Sequence, residues 1–253
     1  MNKHVVNVND FSFWYGSFQA LKDLSFNVNS FKITALIGPS GCGKSTFLKC
    51  LNRINERGAE VSHNGSISVF GHDIYHPSVA LQELRKEVGM VFQKPNPLPL
   101  SIYENVVFGA RTHLRKLKNS HLDEMVEMSL KRVGLWEDLK DKLDHPAMGL
   151  SLEKQQRLCI ARLLPLKPKL LLLDEPCSAL DPAGIEAIEL LIKDLKKDYS
   201  IIIVTHSMSQ AKRVSDETIF MYMGELVEMG PTQELFSNPK EPRTGAYIEG
   251  RFG

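Results

Sequence analysis

The sequence predicts an α/β fold: a mixed core sheet flanked by helices, with an antiparallel β lobe before it and a helical lobe set into it. Three observations predict this. Ile33-Thr34-Ala35-Leu36-Ile37 is a strand-type run that leads into Gly38-Pro39-Ser40-Gly41-Cys42-Gly43-Lys44-Ser45-Thr46 and then into the helix-type Phe47-Leu48-Lys49-Cys50-Leu51. Leu170-Leu171-Leu172-Leu173 and Ile201-Ile202-Ile203-Val204 are apolar throughout and end in polar residues, as strands buried on both faces of a parallel sheet do. Residues 3–34 alternate at strand period, whereas 101–143 repeat at helical period.

The glycine-rich segment fits G-x-x-x-x-G-K-[ST], and strand, loop, helix is the context that motif requires. Glycines let the backbone curl so that successive N–H groups face phosphate oxygens. The following helix adds the positive end of its dipole. Lys44 is placed to reach the β- and γ-phosphates, and the Ser45 hydroxyl to ligate Mg²⁺.

Composition narrows the class. With 31 Lys+Arg against 30 Asp+Glu over 253 residues, the chain lacks the basic excess of a dedicated nucleic-acid binder. Its four cysteines (Cys42, Cys50, Cys159 and Cys177) form no C-x-x-C pair and read as reduced thiols in a cytosolic protein. The first ten residues contain no apolar stretch of secretory type, and no apolar run approaches the length of a membrane span. Any membrane role would therefore come through a partner.

In chain order, Val5-Val6-Asn7-Val8, Phe11-Ser12-Phe13-Trp14-Tyr15 and Leu24-Ser25-Phe26-Asn27-Val28 predict the antiparallel sheet, punctuated by Gly16 and Asn29-Ser30. Tyr15 either stacks on a purine base or packs under the sheet. A helix is expected over 47–58, a strand over 66–70, a short helix over 79–86 and a strand over 88–92. That last strand ends at Gln93, where open α/β sheets place ligands. Three prolines in 94–100 exclude helix interior and central strand, and read as a linker into the helical lobe. The basic run 111–118 is a solvated face or a dock for acidic partners. Ser151 is the expected N-cap of a helix running to about 164.

Asp174 ends the 170–173 run and is positioned to hold Mg²⁺. Glu175 beside it is positioned to polarise a water at the γ-phosphate. Two adjacent buried acids are costly without a cation, so Mg²⁺ is implied. A turn at 178–182, a helix over 183–197 and the 201–204 strand follow. His206 ends that strand and is placed to donate to a γ-phosphate oxygen. Residues 218–229 predict two strands around Gly224, and a short polar tail follows.

This ordered set resembles the nucleotide-binding subunit of an ABC transporter over essentially the whole chain, and more narrowly the phosphate-import type. Phe92-Gln93-Lys94-Pro95-Asn96-Pro97 and Ser101-Ile102-Tyr103-Glu104-Asn105-Val106 carry the narrower likeness, with Asp174-Glu175-Pro176, Arg213-Val214-Ser215-Asp216 and Gly250-Arg251-Phe252-Gly253 in support. The resemblance implies a P-loop NTPase fold with a RecA-like core in a single domain, 1–253, the helical lobe spanning about 97–156. It implies ATP and Mg²⁺, with Gly38, Pro39, Ser40, Gly41, Cys42, Gly43, Lys44, Ser45 and Thr46 wrapping phosphates and Tyr15 on adenine. Ser45, Gln93 and Asp174 would serve the metal. Glu175 would be the base, His206 the γ-phosphate switch, and Gln93 and Lys44 further catalytic groups. Two copies would face head to tail, with Ser151 of one completing the site of the other and Asp181 at their contact. Two integral-membrane permease subunits, an external phosphate-binding protein acting indirectly, and a place at the cytoplasmic face of the inner membrane are implied, with no nucleic acid. Rival readings are an ATP-gated switch with little turnover, a non-transport ABC ATPase acting on DNA or ribosomes, and a phosphotransferase kinase, against which the Asp174-Glu175 pair counts.

The chain departs from the family at one place. Where the family has Leu-Ser-Gly-Gly-Gln, it reads Leu150-Ser151-Leu152-Glu153-Lys154. Glu153 puts a carboxylate near a polyanion. At about 6 Å and an effective dielectric near 20, two like unit charges repel by roughly 3 kcal/mol. Lys154 is the expected partial neutraliser, and slower turnover the expected effect, unless both side chains at 152 and 153 turn to solvent. Cys42, beside a helix start, is expected to have a lowered thiol pKa and to react with alkylators unless ATP protects it, or else simply to fill a small loop position.

Overall fold

The structure, a computed structural model, describes residues 3–114 and 117–251. Among these residues the strands form two sheets. β1 (His4–Tyr15) and β2 (Phe18–Asn29) make a hairpin across Gly16, whose φ of 53° is the left-handed turn geometry glycine tolerates. β3 (Ile33–Ile37) leaves this hairpin for the second sheet, while β4 (Val61–Val69) and β5 (His72–Asp73) return to complete the first, in the order β2-β1-β4-β5. The second sheet adds β6 (Val88–Val91), β7 (Leu170–Asp174), β8 (Ser200–Val204), β9 (Glu217–Tyr222) and β10 (Glu225–Pro231), in the order β10-β9-β3-β8-β7-β6. Its strands run parallel except β10, which is antiparallel to β9.

The uniformly apolar runs follow from a sheet covered on both faces. Alternate side chains point opposite ways, and here both directions are buried. Leu171, Leu173, Ile201 and Ile203 join one cluster with Val106, Val126 and Leu130 of the helical lobe. Leu170, Leu172, Ile202 and Val204 join another with Phe11, Phe13 and Phe47 beneath the antiparallel sheet. Register then levels the strand ends. Leu36 lies opposite Val204, Val204 opposite Asp174, and Val91 opposite Leu173. The loops after β3, β6, β7 and β8 therefore leave the sheet along one edge.

The helices are α1 (Lys44–Cys50), α2 (Leu81–Glu87), α3 (Ile102–His113), α4 (Asn119–Arg132), α5 (Trp136–Leu139), α6 (Leu152–Ala161), α7 (Pro182–Leu195), α8 (Met208–Val214), α9 (Thr232–Ser237) and α10 (Pro242–Ile248). α1 stops well short of residue 58. Arg53 turns left-handed at φ 55°, Asn52 Oδ1 accepts from Ile54 N at 3.3 Å, and a 3₁₀ turn at Ile54–Glu56 follows. The tail is not simply polar. α9 and α10 bury Leu235 and Tyr247, and the Tyr247 ring stacks on Phe220 at 4.9 Å. Its few apolar residues are too widely spaced to announce two short helices. The proline linker is clamped by buried Asn105, which accepts from Leu98 N and donates to the Leu98 and Ser101 carbonyls. In the basic run, Arg111 pairs with Glu104, while Arg115 and Lys116 lie outside the described residues. So do Phe252 and Gly253.

Candidate nucleotide site

The loop after β3 takes its shape from three glycines. Gly38, Gly41 and Gly43 have φ of 147°, 75° and 104°. A Cβ on Gly38 would lie 2.1 Å from Met221 O, and one on Gly43 3.0 Å from Ala20 O, so backbone of β9 and β2 closes on the loop. Gly43 caps α1 without a side chain, which leaves the N–H groups of its first turn for a ligand. Lys44 is buried, and its Nζ donates to Gly38 O at 2.7 Å and Pro39 O at 2.8 Å. The ammonium is thereby folded into the curve of the loop.

The acids lie one strand end away. Ser45 Oγ donates to Asp174 Oδ1 at 2.7 Å, joining the start of α1 to the end of β7. These hard oxygen donors suit Mg²⁺. Among the described residues no group of three or more His, Cys, Asp or Glu could hold a metal ion. Glu175, the next residue, sits at φ 46°, a strained conformation for a side chain of this kind. Its backbone N–H is fixed to Val204 O at 3.0 Å. One carboxylate oxygen lies 2.6 Å from His206 Nε2, and the other accepts from Gln93 Nε2 at 3.0 Å. The fold thus brings together Gln93, Glu175 and His206 from three separate strand ends.

Tyr15 closes β1 beside α1. It is half-buried and edge-on to Phe13 at 5.2 Å; burial pushes its pKa up, more than neighbouring Thr46 and Asn55 lower it. Cys42 corrects the expectation of a reactive thiol. It is 3% exposed, and burial raises its pKa more than Lys44 lowers it. The helix start cannot hold a thiolate that the fold keeps from water. Ser151 caps α6 as expected, accepting from Lys154 N at 3.4 Å. It lines grooves with Asp181 and Gly184 on one side and with Ile102 and Asp138 on the other. Asp181 caps α7, accepting from Gly184 N at 2.7 Å.

Residues 21–178 match the family model described as ABC transporter. The chain belongs to this family. It is an ABC nucleotide-binding subunit of the PstB type: it is 51% identical, over 98% of its length, to the phosphate import ATP-binding protein PstB 5 of Trichormus variabilis, 97% of which is covered. Among solved structures, cbiO1 from Clostridium perfringens, part of the ABC transporter complex cbiONQ, superimposes with a TM-score of 0.82 at 29% identity, over 98% of this chain and all of that one. A bacterial Atm1-family ABC exporter with ATP bound gives 0.79 at 27% identity, over 99% of this chain and 42% of that one.

Several residues of this ABC subunit that bear on the site escape sequence reasoning. Gln156, fully buried on α6, donates to Phe92 O at 3.2 Å and so ties α6 to the segment carrying Gln93. Behind His206, Thr205 donates to Gln210 at 2.7 Å, Gln210 faces Glu189 at 3.5 Å, and Arg213 binds Glu189 through Nε and Nη2. A polar residue on a helix gives no hint of such a partner until the helices pack. Arg157 is a further one. The Glu153 carboxylate pairs with it, and not with Lys154, which is held by Asp138 at 2.7 Å.

Proposed function

We propose that the chain hydrolyses Mg·ATP at a site completed by a second copy of itself, and so powers inorganic phosphate uptake through integral-membrane permease subunits. The observation that carries hydrolysis is the convergence of Gln93, Glu175 and His206 next to the Ser45–Asp174 pair. The likeness to a phosphate import protein over nearly the whole length of both chains supports the substrate. The solute would not touch this chain; an external phosphate-binding protein would hand it to the permease. Among the described residues no helix is long and apolar enough to cross a membrane, in keeping with a subunit seated at the cytoplasmic face through its partners.

In this reading Lys44 exchanges the Gly38 and Pro39 carbonyls for phosphate oxygens, and Tyr15 covers the adenine. Ser45 and Asp174, with Gln93 beside them, would hold Mg²⁺, whose charge would offset that of the phosphates. Glu175 accepts a proton from water as the water oxygen bonds to the γ-phosphorus and the bond to the ADP oxygen breaks. Gln93 orients that water. His206 leaves Glu175 to donate to a γ-phosphate oxygen. Ser151 of the second copy closes the site, with Asp181 at the contact between copies.

The test is the rate of Mg·ATP hydrolysis against protein concentration, with Glu175→Gln alongside. A rate steeper than linear that Glu175→Gln abolishes supports the reading; hydrolysis that persists in Glu175→Gln overturns it. The switch reading rests on the Leu152-Glu153 departure, against which Glu175 and His206 count; the pairing of Glu153 with Arg157 bears on the charge part of it alone. Co-purification with membrane proteins separates transport from a soluble ABC ATPase.

A further inference from the structure

Glu153 stands where the family has glycine, at the second residue of α6. The first N–H groups of a helix have no acceptor within it, and an unpaired carboxylate nearby is drawn to them. A free Glu153 would therefore be an anion of the chain's own, competing with phosphate for the start of α6.

We propose that Arg157 is a positioning residue that holds the Glu153 carboxylate away from the phosphate-facing start of α6, so that the segment works without its two glycines. This rests on the two-copy reading above. Arg157 lies one turn on, with the acid toward the N-terminus, the favoured order for such a pair. Arg157 Nε engages Glu153 Oε1, and the two side chains are only 19% and 18% exposed. The guanidinium is anchored on its far side, where Nη1 donates to Val133 O and Gly134 O, both at 3.2 Å. A Cβ on Gly134 would lie 3.2 Å from that Nη1, so glycine leaves room for the anchor. The stem of Glu153 is wedged as well. A Cβ on Gly184, in the first turn of α7, would lie 3.1 Å from Glu153 Cγ. With Lys154 engaged by Asp138, Arg157 is the cation that neutralises Glu153.

The experiment measures ATP-driven self-association of the full chain carrying Glu175→Gln, by sedimentation, with binding of a fluorescent ATP analogue as a check on the phosphate loop. Against that parent, Arg157→Gln is expected to weaken association about tenfold, the effect of about 1.4 kcal/mol of uncompensated charge. Adding Glu153→Gln is expected to restore it to within about threefold, although the lost arginine stays lost. The deficit of Arg157→Gln should shrink at high salt, because a merely structural defect is not screened. Should Arg157→Gln fail to fold, Glu153→Asp serves instead: it keeps Arg157 and the charge but shortens the reach, and is expected to weaken association where Glu153→Gln does not. Failure of Glu153→Gln to rescue, or equal behaviour of Glu153→Asp and Glu153→Gln, overturns the positioning role alone. A parent that binds ATP yet never self-associates overturns the two-copy reading, and the two failures are thereby told apart.

Discussion

Arg213→Met tests how the helix behind His206 is held. The Glu189 carboxylate is 9% exposed and accepts from Arg213 Nε at 2.9 Å and Nη2 at 2.7 Å, with Gln210 Nε2 a weaker partner at 3.5 Å. Removing one partner of a buried pair costs about 3–5 kcal/mol, because the other charge is left without compensation. Arg213 is itself half-exposed, at 51%, so water reaches the freed carboxylate, and about 2 kcal/mol is the expected loss. Urea unfolding should show a lower midpoint at unchanged slope. The consequence reaches the site through Gln210, which accepts from Thr205 Oγ1 at 2.7 Å, while that same Oγ1 accepts from Ser207 N at 3.1 Å across His206. Hydrolysis should fall about fivefold or more while ATP affinity stays within about twofold, since only the reacting geometry is disturbed. Glu189→Leu with Arg213→Met should regain most of the stability and little of the rate. A single variant that loses less than about 0.5 kcal/mol, or a double variant no more stable than the single, would refute the reasoning.

Gly38→Ala should prevent folding or ATP binding, because its Cβ meets Met221 O at 2.1 Å, whereas Gly41→Ala meets nothing within 4 Å and should melt as a folded protein about 1 kcal/mol less stable. Thermal melts of the two side by side decide this, and equal behaviour would sink it. Alkylation of Cys42 followed by mass spectrometry should be many-fold slower in the native chain than in urea, even at a pH where free thiols ionise; rapid native labelling would contradict its burial and raised pKa. Burial pushes Cys50 up to about 12 and Cys177 up to about 11, from an ordinary value of 9.0. Above pH 9 the unfolded chain therefore releases these protons while the folded chain keeps them. Stability should fall with pH from about 9 toward 11–12, at about 1.4 kcal/mol per pH unit for each thiol. Denaturant midpoints across that range test the slope, and Cys50→Ala should flatten it.

The positions of the glycine loop, the acids and His206 were legible because each is announced locally: glycines where a loop must curl, uniform apolar runs where a strand is covered twice, and one polar residue where such a strand ends. The loop at 38–46, Asp174, Glu175 and His206 needed no knowledge of their neighbours, and the Ser151 cap followed from a hydroxyl placed before an apolar helix. Packing decided what spacing could not. It buried Cys42, so that desolvation outweighed both the helix start and Lys44. It ended α1 at Cys50, where Arg53 turns left-handed, and it set α9 and α10 on β9 and β10 through a handful of apolar contacts. It also chose the partner of Glu153: sequence offered the adjacent Lys154, but adjacent residues on a helix diverge by about 100°. The tertiary structure turned Lys154 toward Asp138 and left Arg157, one turn on and anchored to the turn at 133–134, to take the charge. The sequence by itself determined which groups stand at the strand ends, because backbone geometry and burial act through near neighbours. Which charges meet across elements, as Lys154 meets Asp138 and Arg213 meets Glu189, was settled only when those elements packed, because such an ion pair depends on distance in space and not along the chain.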